Sequence, residues 1–450
     1  MMAEAPSPRR AAGRYRVAII GGGPSGFYAA EALLRSGQSV DVDMFERLPV
    51  PYGLVRFGVA PGHPKLKQVT RIFDRIAEMP GFRFFGGVEI GERPSISALR
   101  SCYHALIFAT GAPVSRRMDV SGEGLPGSYQ AGDFVAWYNG HPDFRHCKFD
   151  LGAERAVIIG HGNVALDVGR ILAKTPDELR HTDIAAHALD ALAASRVREI
   201  YLVGRRGPDQ TRFAAKELQE FEELADCDPL VELDGFPVLS SGPDPDTEAE
   251  AALTLLRAFS TRPIAKRRRC VFLFGLIPLG IEGDGRVERI VFGQGQGDAR
   301  TVSKNVVIDC GLVFSSIGRR AAPISGIPYD EARGVHANIG GRLAADERAL
   351  PGLYVCGWGK RGPQGTIGTN RACSVETVAN VLADLPQLDE PPLHSDNLSG
   401  RTSIPRYVDY PAWGRIDAEE VARGRPKGKP REKFIAIDEM FAAADGEVAC

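Results

Sequence analysis

The sequence predicts an α/β fold of two parallel-stranded domains, one inserted into the other. Three observations predict it. Apolar strand runs at residues 16–20 and 156–159 each lead straight into a glycine-rich turn, at Gly21 and at Gly160. Each turn is followed by apolar residues at helical spacing, Phe27, Ala30, Leu33 and Leu34 in the first case and Ala165, Val168 and Leu172 in the second. Two further apolar runs, ending at Gly111 and Gly318, each close a segment and read as crossings between the domains. The expected division is 1–111 and 320–450 for the outer domain and 112–319 for the inserted one.

Composition is compatible with this. At roughly one domain per ~150 residues, 450 residues make two or three domains. Hydrophobic residues are 44% and charged ones 25%, ordinary values that argue against a disordered or fibrous chain. Lys and Arg number 55 against 57 Asp and Glu, a net charge of -2, so nucleic-acid binding by bulk charge is not expected. The longest apolar stretch, 271–281, is broken by Pro278 and falls short of the ~20 residues that span a bilayer. Residues 1–14 have arginines but no apolar core of a secretory signal. Cysteines stand at 102, 147, 227, 270, 310, 356, 373 and 450, none in C-x-x-C spacing. The expectation is a cytoplasmic protein with reduced thiols, no cysteine-ligated cluster, no active-site dithiol and no metal site.

The first unit carries Gly21-Gly-Gly-Pro-Ser-Gly26, a G-x-G-x-x-G pattern between strand and helix. Backbone free of side chains there lets a pyrophosphate reach the N–H groups at the helix N-terminus. The next run, 40–44, alternates with period two and ends at Glu46, about the ~20 residues beyond Gly26 at which a carboxylate takes a ribose. A carboxylate disfavours a 2′-phosphate, so this site suits FAD or NAD.

The second unit carries Gly160-His-Gly-Asn-Val-Ala165, a G-x-G-x-x-A pattern. Its next strand, 200–203, runs into Arg205 and Arg206, where the first unit has its carboxylate. Guanidinium forks suit a 2′-phosphate, so this site selects NADP. The interval from Ala165 to Arg205 exceeds the usual ~20 residues, and 174–197 read as a polar, helical insertion. Two sites of opposite preference on one chain point to hydride transfer between cofactors, with a flavin as the fixed one.

Further on, 342–351 read as a loop and 352–358 as a strand ending in a turn at Trp358. A polar glycine loop, 359–368, precedes a helix marked by Ala372, Val375, Ala379 and Leu382. The positive end of that helix would stabilise the charge that reduction places on a flavin, with Trp358 against the ring.

At this point the residues resemble a known family. Gly21-Gly-Gly-Pro-Ser-Gly-Phe-Tyr28, Val50-Pro-Tyr-Gly-Leu-Val-Arg-Phe-Gly-Val-Ala-Pro61 with His63-Pro64, and Trp137-Tyr-Asn-Gly-His-Pro142 are similar to the adrenodoxin reductase family of NADPH–ferredoxin reductases. So are Gly162-Asn-Val-Ala-Leu-Asp167, Gly204-Arg-Arg-Gly-Pro208 with Lys216-Glu-Leu218, Gly357-Trp358, Lys360-Arg-Gly-Pro363 and Lys427-Gly-Lys-Pro-Arg-Glu-Lys433. The resemblance runs from about residue 15 to 433. It implies two Rossmann-like dinucleotide-binding domains, the NADP domain inserted into the FAD domain. The implied activity is oxidation of NADPH by FAD and single-electron transfer to a ferredoxin.

Roles follow from the resemblance, beside the glycines Gly21, Gly23 and Gly26 of the first turn. Ser25, Glu46, Leu54, Val88, Trp358 and the backbone of Gly365, Thr366 and Ile367 would contact FAD. Gly160, His161, Gly162, Asn163, Val164, Arg205, Arg206, Glu217 and Gly365 would contact NADP. His63 and Glu220 match a couple beside the nicotinamide and flavin rings, where orientation rather than proton transfer is the expected role. His161, Gln364 and Gly359 depart from the family pattern, as does the acidic segment 240–250. A basic cluster, Arg262, Lys266, Arg267, Arg268 and Arg269, is the expected docking patch for an acidic ferredoxin. A monomer is expected. An FAD/NADPH-dependent monooxygenase and a non-enzymatic redox sensor are the alternatives; a disulfide reductase is disfavoured by the missing cysteine pair.

Overall fold

The computed structural model describes residues 14–91, 94–210, 213, 215–232, 247–295, 304–392, 404 and 406–446. The chain opens with β1 (Tyr15–Ile20), α1 (Pro24–Leu34) and β2 (Val40–Glu46). Next come α2 (Leu54–Phe57), α3 (Pro64–Lys67), α4 (Thr70–Ala77), β3 (Phe82–Gly86), α5 (Ile96–Arg100) and β4 (Ala105–Phe108). After β5 (Val114–Ser115) a second unit follows: β6 (Ser128–Gln130), α6 (Ala131–Tyr138), β7 (Arg155–Ile159), α7 (Asn163–Ala173), α8 (Pro176–Leu179), α9 (Ala186–Ala193) and β8 (Glu199–Val203). It continues through α10 (Ala215–Gln219), β9 (Cys227–Glu232), α11 (Thr247–Ser260) and β10 (Arg268–Leu273). The strands β11 (Leu276–Glu282), β12 (Arg289–Gln294) and β13 (Lys304–Asp309) form an antiparallel meander, and β14 (Leu312–Ser315) and β15 (Arg319–Arg320) lead back. Then come β16 (Tyr329–Asp330), β17 (Val335–His336), β18 (Asn338–Ile339), β19 (Arg342–Ala345), β20 (Arg348–Val355), α12 (Trp358–Arg361) and α13 (Ile367–Asp384).

A seven-stranded sheet runs β18-β19-β20-β4-β1-β2-β3, and a six-stranded sheet runs β6-β14-β7-β8-β10-β9. The second is parallel throughout; the first is parallel from β20 to β3. Parallel sheets are covered on both faces, which is why their strands read as continuous apolar runs. Val17 and Ile19 pack with Phe27 and Leu33 in one layer, while Ala18 and Ile20 join Phe45, Leu106 and Phe108 in the other. In the second sheet Ala156 and Ile158 join Leu166 and Leu172, and Val157 and Ile159 join Val203 and Val271. Each buried aliphatic side chain contributes roughly 1.5–3 kcal/mol. The two passages between the sheets are zipped together, Ser115 against Arg319 and Val114 against Arg320. Among the described residues no helix is long and apolar enough to cross a membrane.

Three elements differ from the sequence reading. Residues 342–351 are no loop: β19 and β20 form a hairpin whose Ala345 faces Arg348, and the turn residues Asp346 and Glu347 take φ of 48° and 61°. That two-residue turn lacks the usual glycine or asparagine. In α13, Ala372, Val375 and Ala379 are exposed, and the buried face is Asn370, Cys373, Ser374, Thr377, Val378 and Val381. Small polar residues face inward because α13 lies close on α1 and β20: Ser374 Oγ donates to the Ser25 carbonyl at 2.9 Å and Thr377 Oγ1 to that of Val355 at 3.1 Å. Residues 174–197 are not a polar appendage, since Leu179, Ile184, Ala188 and Leu192 are buried in the core of the second unit.

Candidate functional site

The two glycine turns are built alike. A Cβ on Gly21, at φ +115°, would lie 2.5 Å from the Ala109 carbonyl oxygen, and one on Gly160, at φ +129°, 2.3 Å from that of Ser316. Only glycine lets each first strand turn so tightly against its neighbour. A Cβ on Gly26 would lie 2.2 Å from the Gly21 oxygen, so α1 starts hard against the turn. Gly23 and Gly162 are the reverse: a Cβ on either meets nothing within 4 Å. Gly23 caps α1 and Gly162 caps α7, both extended and without a side-chain cap. The result is two open cradles, each facing the uncapped positive end of an 11-residue helix.

Around the first cradle, Glu46 ends β2 and accepts from the Gly22 N–H at 2.8 Å and the Leu48 N–H at 3.1 Å. Burial pushes its carboxyl above the ordinary value. Val88 donates its N–H to the Glu46 carbonyl at 2.8 Å, and its side chain is buried. A Cβ on Gly53 would lie 3.2 Å from Gly23 Cα, which puts the start of α2, with the partly exposed Leu54, beside the cradle. On the opposite side a Cβ on Gly357 would meet Ser25 Oγ at 2.1 Å. The next residue, Trp358, is half-buried, and its buried Nε1 has no hydrogen-bond partner among the described residues. Gly365 takes φ +80°, and the exposed Thr366 begins α13 without a side-chain cap.

Around the second cradle, Asn163 and Val164 are exposed. The His161 ring turns away, Nε2 2.9 Å from the Leu202 carbonyl, between Phe213 and Phe274. Burial presses it down to about 4, so it is neutral near pH 7 and offers a ligand its backbone rather than a charge. Arg205 is exposed and Arg206 half-buried at the end of β8; among the described residues no carboxylate pairs with either.

His63, in the loop before α3, stands where the first unit meets the second. Its Nε2 lies 2.8 Å from Glu220 Oε2 and 3.8 Å from Glu217 Oε2, both brought by α10 and the residue after it, and its Nδ1 lies 3.9 Å from Asp167. Arg170 holds all three carboxylates, Glu217 at 2.7 Å. The Glu220 hydrogen bond pushes the His63 imidazole above its ordinary value. Burial opposes the charge on Glu220, yet His63 and Arg170 hold its carboxyl below the usual range. His63, Glu217 and Glu220 offer ligand atoms within 4.8 Å of one another, but Arg170 already occupies Oε2 of both glutamates. Sequence reasoning missed Arg170 and Asp167; their i,i+3 spacing in the helix after the second glycine turn was the available signal.

Replacing Glu220 by Gln should lower the His63 pKa, readable by imidazole NMR. Because the folded pKa is raised, the stabilisation by the protonated pair is complete below ~6.5 and fades as pH rises through the folded value. An unmoved His63 titration would show that the pair is not formed in solution.

The basic cluster is largely engaged. Arg262 pairs with Glu222 at 2.8 Å, Arg267 with Asp226 at 2.7 Å and Arg269 with Glu199 at 2.6 Å. Lys266 donates to the Leu224 carbonyl, and Arg268 to those of Ala173 and Lys174 at 2.9 and 3.1 Å. Of the acidic segment 240–250, residues 240–246 lie outside the described residues.

Residues 15–203 match the family model described as pyridine nucleotide-disulphide oxidoreductase. The NADPH-ferredoxin reductase FprA of Mycobacterium tuberculosis is 41% identical over 458 residues, covering 95% of this chain and 98% of that one. The chain belongs to the adrenodoxin reductase family of NADPH–ferredoxin reductases. Another relative, the mitochondrial NADPH:adrenodoxin oxidoreductase of Arabidopsis thaliana, is 36% identical over 95% of each chain. The solved structure of Mycobacterium tuberculosis FprA in complex with NADPH superposes with a TM-score of 0.89 at 39% identity, covering 96% of this chain and 100% of that one. The fold is that of this family, a two-domain FAD- and NADP-binding α/β architecture.

Proposed function

We propose that this chain is a flavoprotein reductase that oxidises NADPH and hands the electrons singly to a ferredoxin. The observation that carries the reading is the pair of open, uncapped cradles, one followed by a carboxylate and the other by two arginines that no carboxylate pairs with among the described residues. When bound, FAD supplies a carrier that takes a hydride from NADPH and releases electrons one at a time. Everything else falls to the protein.

The residues present fit both groups. The space over Gly23 and the α1 N-terminus suits the FAD pyrophosphate, with Glu46 accepting from the ribose. Trp358, with its unpartnered Nε1, and the α13 N-terminus at Thr366 and Ile367 would border the flavin. Gly162, the backbone of His161, Asn163 and Val164 would hold the NADP pyrophosphate, and Arg205 and Arg206 the 2′-phosphate. His63 and Glu220 join the two units where the rings would meet, and their role is orientation. The boundaries we assign are 1–111 with 320–450 for FAD and 112–319 for NADP, supported by the β5–β15 ribbon at both crossings. The purified, yellow protein should reduce ferricyanide with NADPH far faster than with NADH. Equal rates would count against the coenzyme assignment.

For the ferredoxin we assign the 262–269 cluster as the docking patch. Five cations there meet three carboxylates, Glu222, Asp226 and Glu199. The surplus is small, so steering should be modest and strongly salt-dependent, as the Debye length shrinks from ~30 Å at 0.01 M to ~8 Å at 0.15 M. Neutralising Lys266, Arg267 and Arg268 together should slow ferredoxin-dependent cytochrome reduction severalfold and spare ferricyanide reduction. Loss in both assays would indicate damage to the fold, and loss in neither would remove the patch from the interface. We also propose a monomer and a cytoplasmic location, the latter supported by seven described cysteines, none of them bridged.

A further inference from the structure

Residues 427–434 have no place in either cradle, yet four of them are buried where the two units meet. Lys429, Glu432, Lys433 and Phe434 are each 8% exposed or less. Lys433 Nζ donates to the carbonyl of Arg56 in α2 at 3.3 Å and to that of Asn139 after α6 at 3.1 Å. It also pairs at 3.0 Å with Asp183, in the loop between α8 and α9. Asp183 takes a second ammonium, Lys67 Nζ, at 2.7 and 2.6 Å. Further along the strap, Lys429 Nζ donates to the Ile184 carbonyl at 2.6 Å, and the Phe434 N–H donates to Glu420 at 3.0 Å. One carboxylate of the second unit thus ties together the strap and the end of α3.

Lys67 is four residues after His63. The segment 63–67 is therefore held at both ends by carboxylates of the second unit, Glu220 at His63 and Asp183 at Lys67. Two buried ammoniums on one carboxylate are a poor means of stabilising a fold, because the desolvation cost rivals the attraction. Burial opposes the charge on Asp183, but Lys433 and Lys67 hold it well below the usual range; burial also pushes the Lys433 ammonium down to about 7. What such a cluster does supply is direction, since each short contact fixes one element against another.

We propose that Asp183 is a positioning residue: clamped between Lys67 and Lys433, it fixes segment 63–67 and strap 427–434 to the second unit and so sets how closely the two cradles approach. The inference rests on the reading of the cradles given above. Hydride donor and acceptor must stand ~3–3.5 Å apart, and a displacement of about 1 Å can cost ~10²-fold in rate. The test uses holoenzyme and stopped-flow bleaching of the flavin by saturating NADPH. Asp183→Asn, which takes the carboxylate from between Lys67 and Lys433, should slow bleaching at least about tenfold. Flavin content and the half-saturating NADPH concentration should stay within about twofold, because no cradle residue is touched. Lys433→Met, which cuts the strap's ties to Asp183 and to the Arg56 and Asn139 carbonyls, should slow bleaching likewise. Lys67→Met, which leaves the Lys433–Asp183 pair and the strap in place, should slow bleaching in the same manner and covers the case in which Asp183→Asn does not fold. Unchanged bleaching in Lys67→Met or in Lys433→Met, or joint loss of flavin, NADPH affinity and rate in Asp183→Asn, would overturn the proposal. If NADPH failed to bleach the unmodified holoenzyme, the cradle reading itself would fall.

Discussion

Replacing Gly23 by valine should yield a folded, colourless protein. At this position the backbone is extended, φ -88° and ψ -177°, a conformation that a β-branched residue adopts without strain, and an added Cβ meets no protein atom within 4 Å. The side chain would occupy only the space assigned to the pyrophosphate, taking with it the charged hydrogen bonds at the α1 N-terminus. At ~1.5–3 kcal/mol for each such bond, losing two weakens FAD by roughly two to four orders of magnitude. The check is flavin absorbance per polypeptide beside the thermal unfolding midpoint of the apoprotein. A yellow variant would remove the first cradle from FAD binding. Gly21 serves as the contrast: with its Cβ position 2.5 Å from the Ala109 oxygen at positive φ, substitution there should damage the fold itself.

Changing Arg205 and Arg206 together to alanine should raise the NADPH Michaelis constant by well over tenfold and leave that for NADH within about twofold. Two charge-assisted hydrogen bonds to a 2′-phosphate, at ~1.5–3 kcal/mol each, set that scale. Neither guanidinium pairs with a carboxylate among the described residues, so the change leaves no orphaned acid and its effect should fall on the coenzyme. Steady-state ferricyanide reduction with each nucleotide reads the ratio directly. An unchanged ratio would sink the assignment.

Both cradles were legible in the sequence because each is local. Strand, glycine turn and helix lie within about twenty residues, and Gly21, Gly26 and Gly160 are dictated by backbone contacts that any sequence with that turn must make. The helix α13 was legible as a helix but not in its orientation. Its inward face carries Ser374 and Thr377, which pair with the backbone of Ser25 and Val355, so apolar spacing pointed to Val375 on the solvent side. The hairpin at 342–355 was hidden because Asp346 and Glu347 make its turn where a glycine or asparagine is usual. His63 and Glu220 were paired through family resemblance; composition and spacing alone could not join residues 157 positions apart. Arg170 and the Lys67–Asp183–Lys433 cluster were missed for the same reason, since their meaning lies in contacts between elements remote in the chain.

The central claim is that electrons pass from NADPH through the flavin to a ferredoxin. It is tested most directly by adding NADPH, without oxygen, to the holoenzyme mixed with excess oxidised ferredoxin while following the visible spectrum. The account predicts that the iron–sulfur absorbance falls with two ferredoxins reduced per NADPH, and that NADH at equal concentration does so far more slowly. Bleaching of the flavin with the ferredoxin left oxidised would contradict it.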